Sequence, residues 1–196
     1  MRSAEISRTT GETRIEVHLN LDGEGKSDIS TGIGFFDHML THLAKHGLFD
    51  LRVHAKGDLE IDAHHTVEDV GICLGQAFLK ALGPPEGIRR FGHAVLPMDD
   101  ALAEAAVDFS GRPYLVYRAD LPKVMVGDFD AELAEEFFTA FAMNGRITLH
   151  LILRYGTNVH HSIEVMFKAF AKALSAAVTL DDRVKGVPST KGVLEA

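Results

Sequence analysis

One short pattern occurs twice in this chain, as His64-His65-Thr66-Val67-Glu68 and His160-His161-Ser162-Ile163-Glu164, 96 positions apart in 196 residues. An offset so close to half the length makes the chain two copies of one unit, which limits the folds open to it more than any other feature does. A single copy is most simply a pair of solvated histidines near a helix end. From the His and Glu content, roughly 0.04 copies would arise by chance, so two at matching places point to a shared role. His54 and His150 each precede their motif by ten positions. Each sits at the polar phase of an alternating run, Leu51, Val53 and Ala55 in one half and Ile147, Leu149, Leu151 and Leu153 in the other, which predicts strands in matching register.

After each motif the apolar spacing changes to that of a helix, through Val70, Leu74, Ala77, Phe78 and Leu82 and through Ile163, Phe167, Phe170, Leu174 and Val178. Further helices are predicted upstream, over Phe36–Leu43 and Ala131–Met143. Before these, Thr13–Leu21 alternates up to a turn at Asp22-Gly23, and Ala101–Phe109 leads through Ser110-Gly111-Arg112-Pro113 into Tyr114–Arg118; both read as hairpins. The expectation is an α/β (α+β) fold, a tandem duplication of a β-β-α-β-α unit with helices packed between two sheets. The halves are 1–85 and 86–196, joined near Gly83-Pro84-Pro85-Glu86-Gly87.

With 46% apolar and 24% charged residues, the chain can bury a core without staples. The polar stretch from Met1 to Thr10 lacks the apolar centre of a signal peptide, so a cytoplasmic, non-membrane protein is expected. A formal net charge of −8 with no basic run disfavours nucleic acid and anionic lipid as partners. Cys73, alone among Ile72, Leu74 and Ala77, reads as a small buried hydrophobe.

Histidine, at 11 residues, is the unusual component. On the first turn of a helix, residues three and four apart share a face, so a motif histidine and its glutamate reach one ion together, whereas adjacent histidines diverge by about 100°. Two motifs that meet therefore build two metal sites, each taking His and Glu from one motif and a lone His from the other. Imidazole with carboxylate suits Zn, Fe, Mn, Co or Ni, and leaves the metal open. Taken singly, the remaining candidates are ordinary: His38 on its helix, the Asp99-Asp100 turn, and the cations Arg89, Arg90, Arg112 and Lys168 with the tail Pro188-Ser189-Thr190-Lys191-Gly192.

Together these residues resemble the imidazoleglycerol-phosphate dehydratases of histidine biosynthesis. The likeness runs along nearly the whole chain, through Arg8-Thr9-Thr10-Gly11-Glu12-Thr13, Phe36-Asp37-His38-Met39-Leu40, Asp62-Ala63 with the first motif, Arg90-Phe91-Gly92, Pro97-Met98-Asp99, Gly111-Arg112-Pro113-Tyr114, Asn158-Val159 with the second motif, Phe167-Lys168-Ala169-Phe170 and Ser189-Thr190-Lys191-Gly192. The resemblance implies a fold like the second domain of ribosomal protein S5, a 24-subunit homo-oligomeric shell, and two Mn2+ per active site between subunits. It implies one ion on His64, Glu68 and His161 and another on His38, His65, His160 and Glu164. Glu136 stands where many relatives have a further histidine ligand.

For the phosphorylated imidazole substrate, the resemblance implies contacts from Glu12 and His42 and a phosphate site of Arg90, Arg112, Ser189 and Lys191, with Lys168 close by. The implied reaction removes water to give imidazole acetol phosphate, with Glu164, Glu12 or Asp99 as the base. Two other readings share the ligands: a two-metal phosphate-ester or amide hydrolase, and a non-catalytic metal-assembled shell, for which the cationic set would have no use.

Overall fold

Alternation is strictest in β2 (Thr13–Asn20), where Thr13, Ile15, Val17 and Leu19 are buried and Arg14 and His18 are exposed. A strand with one apolar face needs a layer to cover it, and helices supply that layer. In this computed structural model, which describes residues 2–194, the first half adds β1 (Ser3–Thr9), β3 (Ser27–Ser30), α1 (Gly34–Gly47), β4 (Asp50–Gly57) and α2 (His64–Leu82). The second half runs β5 (Phe91–Met98), β6 (Ala101–Asp108), β7 (Tyr114–Arg118), the two-residue strands β8 (Met125–Val126) and β9 (Phe129–Asp130), α3 (Leu133–Gly145), β10 (Thr148–Tyr155) and α4 (Val159–Val178).

The main strands form two equivalent sheets, ordered β1-β2-β4-β3 and β5-β6-β10-β7. The tandem α/β duplication is therefore present, with one strand more at the start of each unit than the alternation revealed. That extra strand also corrects the hairpins. Strands β1 and β2 pair antiparallel, as do β5 and β6, whereas β3 and β7 run parallel to β4 and β10. A parallel neighbour must be reached by a crossover, here through α1 or α3, so the chain beyond Asp22-Gly23 does not fold back on β2.

The register of the repeat also differs from expectation. Helices α1 and α3 end on Leu48 and Arg146, both left-handed at φ 59° and 52°, and the burial patterns of β4 and β10 match when Leu51 is set on Leu149 and Val53 on Leu151. That offset is 98, so His54 corresponds to Ile152 and His150 to Arg52. The motifs return to 96 because the connection from β4 to His64 is two residues longer than that from β10 to His160.

Pairing of the helices is crosswise. Helix α2 lies on β1 and β2 and packs against α3 of the other half, while α4 lies on β5 and β6 and packs against α1. Both predicted apolar stripes are buried, and aromatic rings join the halves, with Phe78 of α2 edge-on to Phe141 of α3 at 5.2 Å between centroids and Phe36 of α1 edge-on to Phe137 at 5.5 Å. The α2–α3 crossing is close because of Gly71 and Gly75. A Cβ on Gly75 would stand 2.5 Å from the Phe141 carbonyl oxygen and 2.6 Å from the Gly145 nitrogen. Among the described residues no helix is long and apolar enough to cross a membrane.

Candidate functional site

Each motif begins its helix, and the crosswise packing decides what it meets. At the start of α4, His160 Nε2 lies 3.0 Å from Glu164 Oε2, one turn on, and His38 Nε2 of α1 comes within 3.3 Å of the same oxygen. At the start of α2, His64 and Glu68 converge with Glu136 of α3. In each trio the ligand atoms lie within 4.8 Å of one another, a span that one ion with metal–ligand bonds of about 2.1 Å would draw together. His38 and Glu136 are repeat partners, since each stands ten positions before the left-handed residue that ends its helix.

Glu164 is almost wholly buried, and its two oxygens have separate partners. Oε2 faces the two imidazoles, while Oε1 accepts a 2.6 Å bond from Lys168 Nζ and lies 3.1 Å from His42 Nε2. Burial by itself would raise this carboxyl, but the Lys168 ammonium, with His42 and His160, outweighs it and holds the group down at about 2. His42, edge-on to His38 and stacked on His46 along α1, is pushed the other way for an imidazole: burial lowers it to about 4, which keeps it neutral near pH 7.

The second histidine of each motif is turned aside and fixed. His65 Nδ1 donates to Asp58 Oδ2 at 2.9 Å, with Glu12 Oε2 at 3.8 Å, and the hydrogen bond to Asp58 raises its pKa. His161 Nδ1 donates to Asp100 Oδ1 at 2.7 Å, and Asp99 Oδ2 lies 3.8 Å from its Nε2. Asp100, held below the usual carboxylate range by His161 and by bonds from Asn158 and Thr157, accepts a proton poorly, so that proton stays on Nδ1. A neutral ring so pinned keeps its Nε2 lone pair for a metal, which is how carboxylates commonly orient metal-binding histidines. Asp58 and Asp100 escaped sequence reasoning: Asp58 lies in a polar loop, and Asp100 reads on its own as half of a solvated turn.

One chain therefore gathers His38, His160 and Glu164 in one trio and His64, Glu68 and Glu136 in another. It does not bring His161 to the first motif's trio or His65 to the second's. The phosphate candidates are also divided. Lys168 stands with Glu164 and His42, but Arg90 is at the far end of α4, where its backbone N–H donates to Ala177. There its guanidinium grips Asp108 at 2.7 and 3.1 Å and donates to the Pro188 carbonyl, next to Ser189. Arg112 is held near the start of β10 through its backbone, by Ser110 and Thr148, and among the described residues its guanidinium has no hydrogen-bond or ion-pair partner, while Lys191 closes the tail's turn with a backbone bond to Ser189 Oγ.

Residues 31–174 match the family model for imidazoleglycerol-phosphate dehydratase. The chain belongs to that family. It is 62% identical over 193 residues to the imidazoleglycerol-phosphate dehydratase of Acetivibrio thermocellus, covering 98% of this chain and 99% of that one, and 60% identical over 195 residues to that of Exiguobacterium, covering all of both. Among solved structures, the dehydratase of Staphylococcus aureus superposes with a TM-score of 0.83 at 42% identity, over 91% of this chain and 99% of that one. The enzyme of Pyrococcus furiosus does so with the same score at 40% identity, over 96% and 100%. Within this family the matched span takes in both trios and both pinned histidines.

Proposed function

We propose that this chain is an imidazoleglycerol-phosphate dehydratase, a hydro-lyase of histidine biosynthesis, working with two Mn2+ per active site in a homo-oligomeric shell of 24 subunits in the cytoplasm. The lyase assignment follows from the family. The observation that carries the metal reading is the pair of repeat-related trios, each with imidazole and carboxylate donors close enough for one ion. His38, His160 and Glu164 would hold one ion and His64, Glu68 and Glu136 the other; His65 and His161, with Nδ1 pinned, offer Nε2 to ions on neighbouring copies. Bound there, the ions would supply Lewis-acid charge that favours the deprotonated imidazole ring of the substrate.

The chain's own groups do the rest. The elimination breaks the C3–O and C2–H bonds, releases water, and leaves an enol that becomes the ketone of imidazole acetol phosphate. Glu164, with every partner already engaged and its carboxyl held at about 2, is suited to be a ligand and is a weak proton acceptor. The C2 proton is left to Glu12 or Asp99, the exposed carboxylates beside His65 and His161. Arg112, Lys191 and Ser189 provide donors for phosphate.

The distance between these groups argues for more than one copy. From His160 to Ala177 helix α4 rises about 25 Å, too far for a short glycerol chain to link metal trio and phosphate donors within one chain. A neighbouring copy must supply one end. Stripping the protein with a chelator is expected to abolish water elimination, and Mn2+ to restore it most strongly; full turnover after thorough chelation would overturn the two-ion reading. Replacing His65 with Ala is expected to remove turnover as well.

A further inference from the structure

We infer that the two metal centres are chemically unequal, and that Glu136 reserves the centre at the start of α2 for a hard cation while the centre at the start of α4 takes softer ones first. This rests on the two-ion reading above. By the register of the repeat, Glu136 occupies in α3 the place of His38 in α1, so the centres differ by the exchange of one imidazole for one carboxylate. One trio offers one imidazole and two carboxylates, the other two imidazoles and one carboxylate. Carboxylate oxygen suits Mn2+ and Mg2+, whereas imidazole favours Zn2+, Co2+ and Ni2+, which already lead Mn2+ in intrinsic affinity.

The surroundings push in the same direction. Beside His64 and Glu136 lies a cavity of about 790 Å³ whose walls include Asp62, Asp130, Glu132 and Glu135, a concentration of negative charge that raises the affinity for any divalent cation and so lets the intrinsically weak binder Mn2+ stay bound there. Around Glu164 the charge is reversed: Lys168 is bonded to its Oε1, the oxygen turned away from His38 and His160, and Lys172 and Lys168 both act on the neighbouring His46. Positive charge there lowers the affinity for every divalent ion alike, so the weakest binder, Mn2+, is the first to fall below saturation and nitrogen affinity decides occupancy.

The test is a competition in the intact protein. Chelator-stripped protein is loaded with Mn2+, given one equivalent of Zn2+ per chain, and crystallised; anomalous diffraction at the zinc and manganese edges reads each centre separately, and Mn2+ electron paramagnetic resonance counts the ions released. Zinc is expected at the His38/His160/Glu164 centre over the other by roughly tenfold or more. In Glu136→His, which gives both trios the same donors, that preference is expected to collapse to about twofold. Even occupancy in the unaltered protein, or an unchanged preference in Glu136→His, overturns the inference while leaving two-ion binding intact. Fewer than two ions bound per chain would overturn both.

Discussion

At the scale of single residues, His42 shows how burial and function are joined. Its ring is packed between His38 and His46, and burial makes its protonated form costly in the fold even though the Glu164 carboxylate opposite favours that form. Unfolded, the imidazole titrates near 6.5; folded, near 4. Between those values the unfolded chain binds a proton that the folded chain refuses, so stability is complete above about pH 6.5 and is lost as pH falls toward 4. In metal-free protein the urea midpoint should decline over that window, and His42→Gln should flatten the decline; an equally steep fall in the variant would show the loss arises elsewhere. The sequence marked this residue only through resemblance, because the spacing His38, His42, His46 says the rings share a face but not that a carboxylate from the other half arrives opposite them. The pinning of His65 and His161 by Asp58 and Asp100 was unreadable for the same reason: both carboxylates come from outside the motif. Cys73 kept its plain reading, with burial pushing the thiol up to about 11 and so keeping it inert.

Among elements, the helices were the most legible, since each buried stripe follows the 3.6-residue period and no residue of those stripes is exposed. Strands β1 and β5 were missed because edge strands bury few side chains: in β1 only Ala4 is fully buried, and Arg8 shares the inward phase with Ala4 and Ile6, which hides the alternation from a hydropathy reading. The His54/His150 match misled, since it arose by subtracting a connection difference of two residues from the true strand offset; parity kept both on the outward face. What no pattern announced is which helix packs on which. That depends on small residues at crossings, above all Gly75 against Phe141 and Gly145. A methyl group there must push α3 away, and Gly75→Ala is expected to cost about 2 kcal/mol in chemical denaturation. Because α3 carries Glu136 and α2 carries His64 and Glu68, the same change should weaken Mn2+ at that centre more than at the His160 centre. A helix-surface glycine of no consequence would cost less than 1 kcal/mol, or even stabilise. Helix α1 is fixed differently, with Asp128 between β8 and β9 accepting the N–H of Gly34 at 2.8 Å.

For the whole molecule, the two candidate metal trios lie away from Arg112, Ser189 and Lys191, so the function proposed above requires an assembly as the working unit. Two defective chains should then repair one another. Arg112→Ala keeps its metal trios, and His64→Ala keeps its phosphate donors, so mixed oligomers contain sites that draw an intact end from each. Random co-assembly should return about a quarter of normal turnover, where neither variant alone gives more than traces. Activity that merely averages the two parents would place both ends of a site in one chain. The 24-subunit shell is an expectation carried by resemblance alone, since a subunit's own periodicity records its core and not the surfaces it shares.

The crosswise trios also bear on how the chain acquires its native state. Neither trio lies within one half: His38 waits for a motif more than a hundred residues downstream, and Glu136 for one some seventy residues upstream. During synthesis the first half can complete its sheet while the ribosome still holds the second, but it then has no finished ion site. Under the proposed two-ion function, tight metal uptake would therefore be a signature of docking between halves, a built-in timer that separates a chain half folded from one whose halves have met.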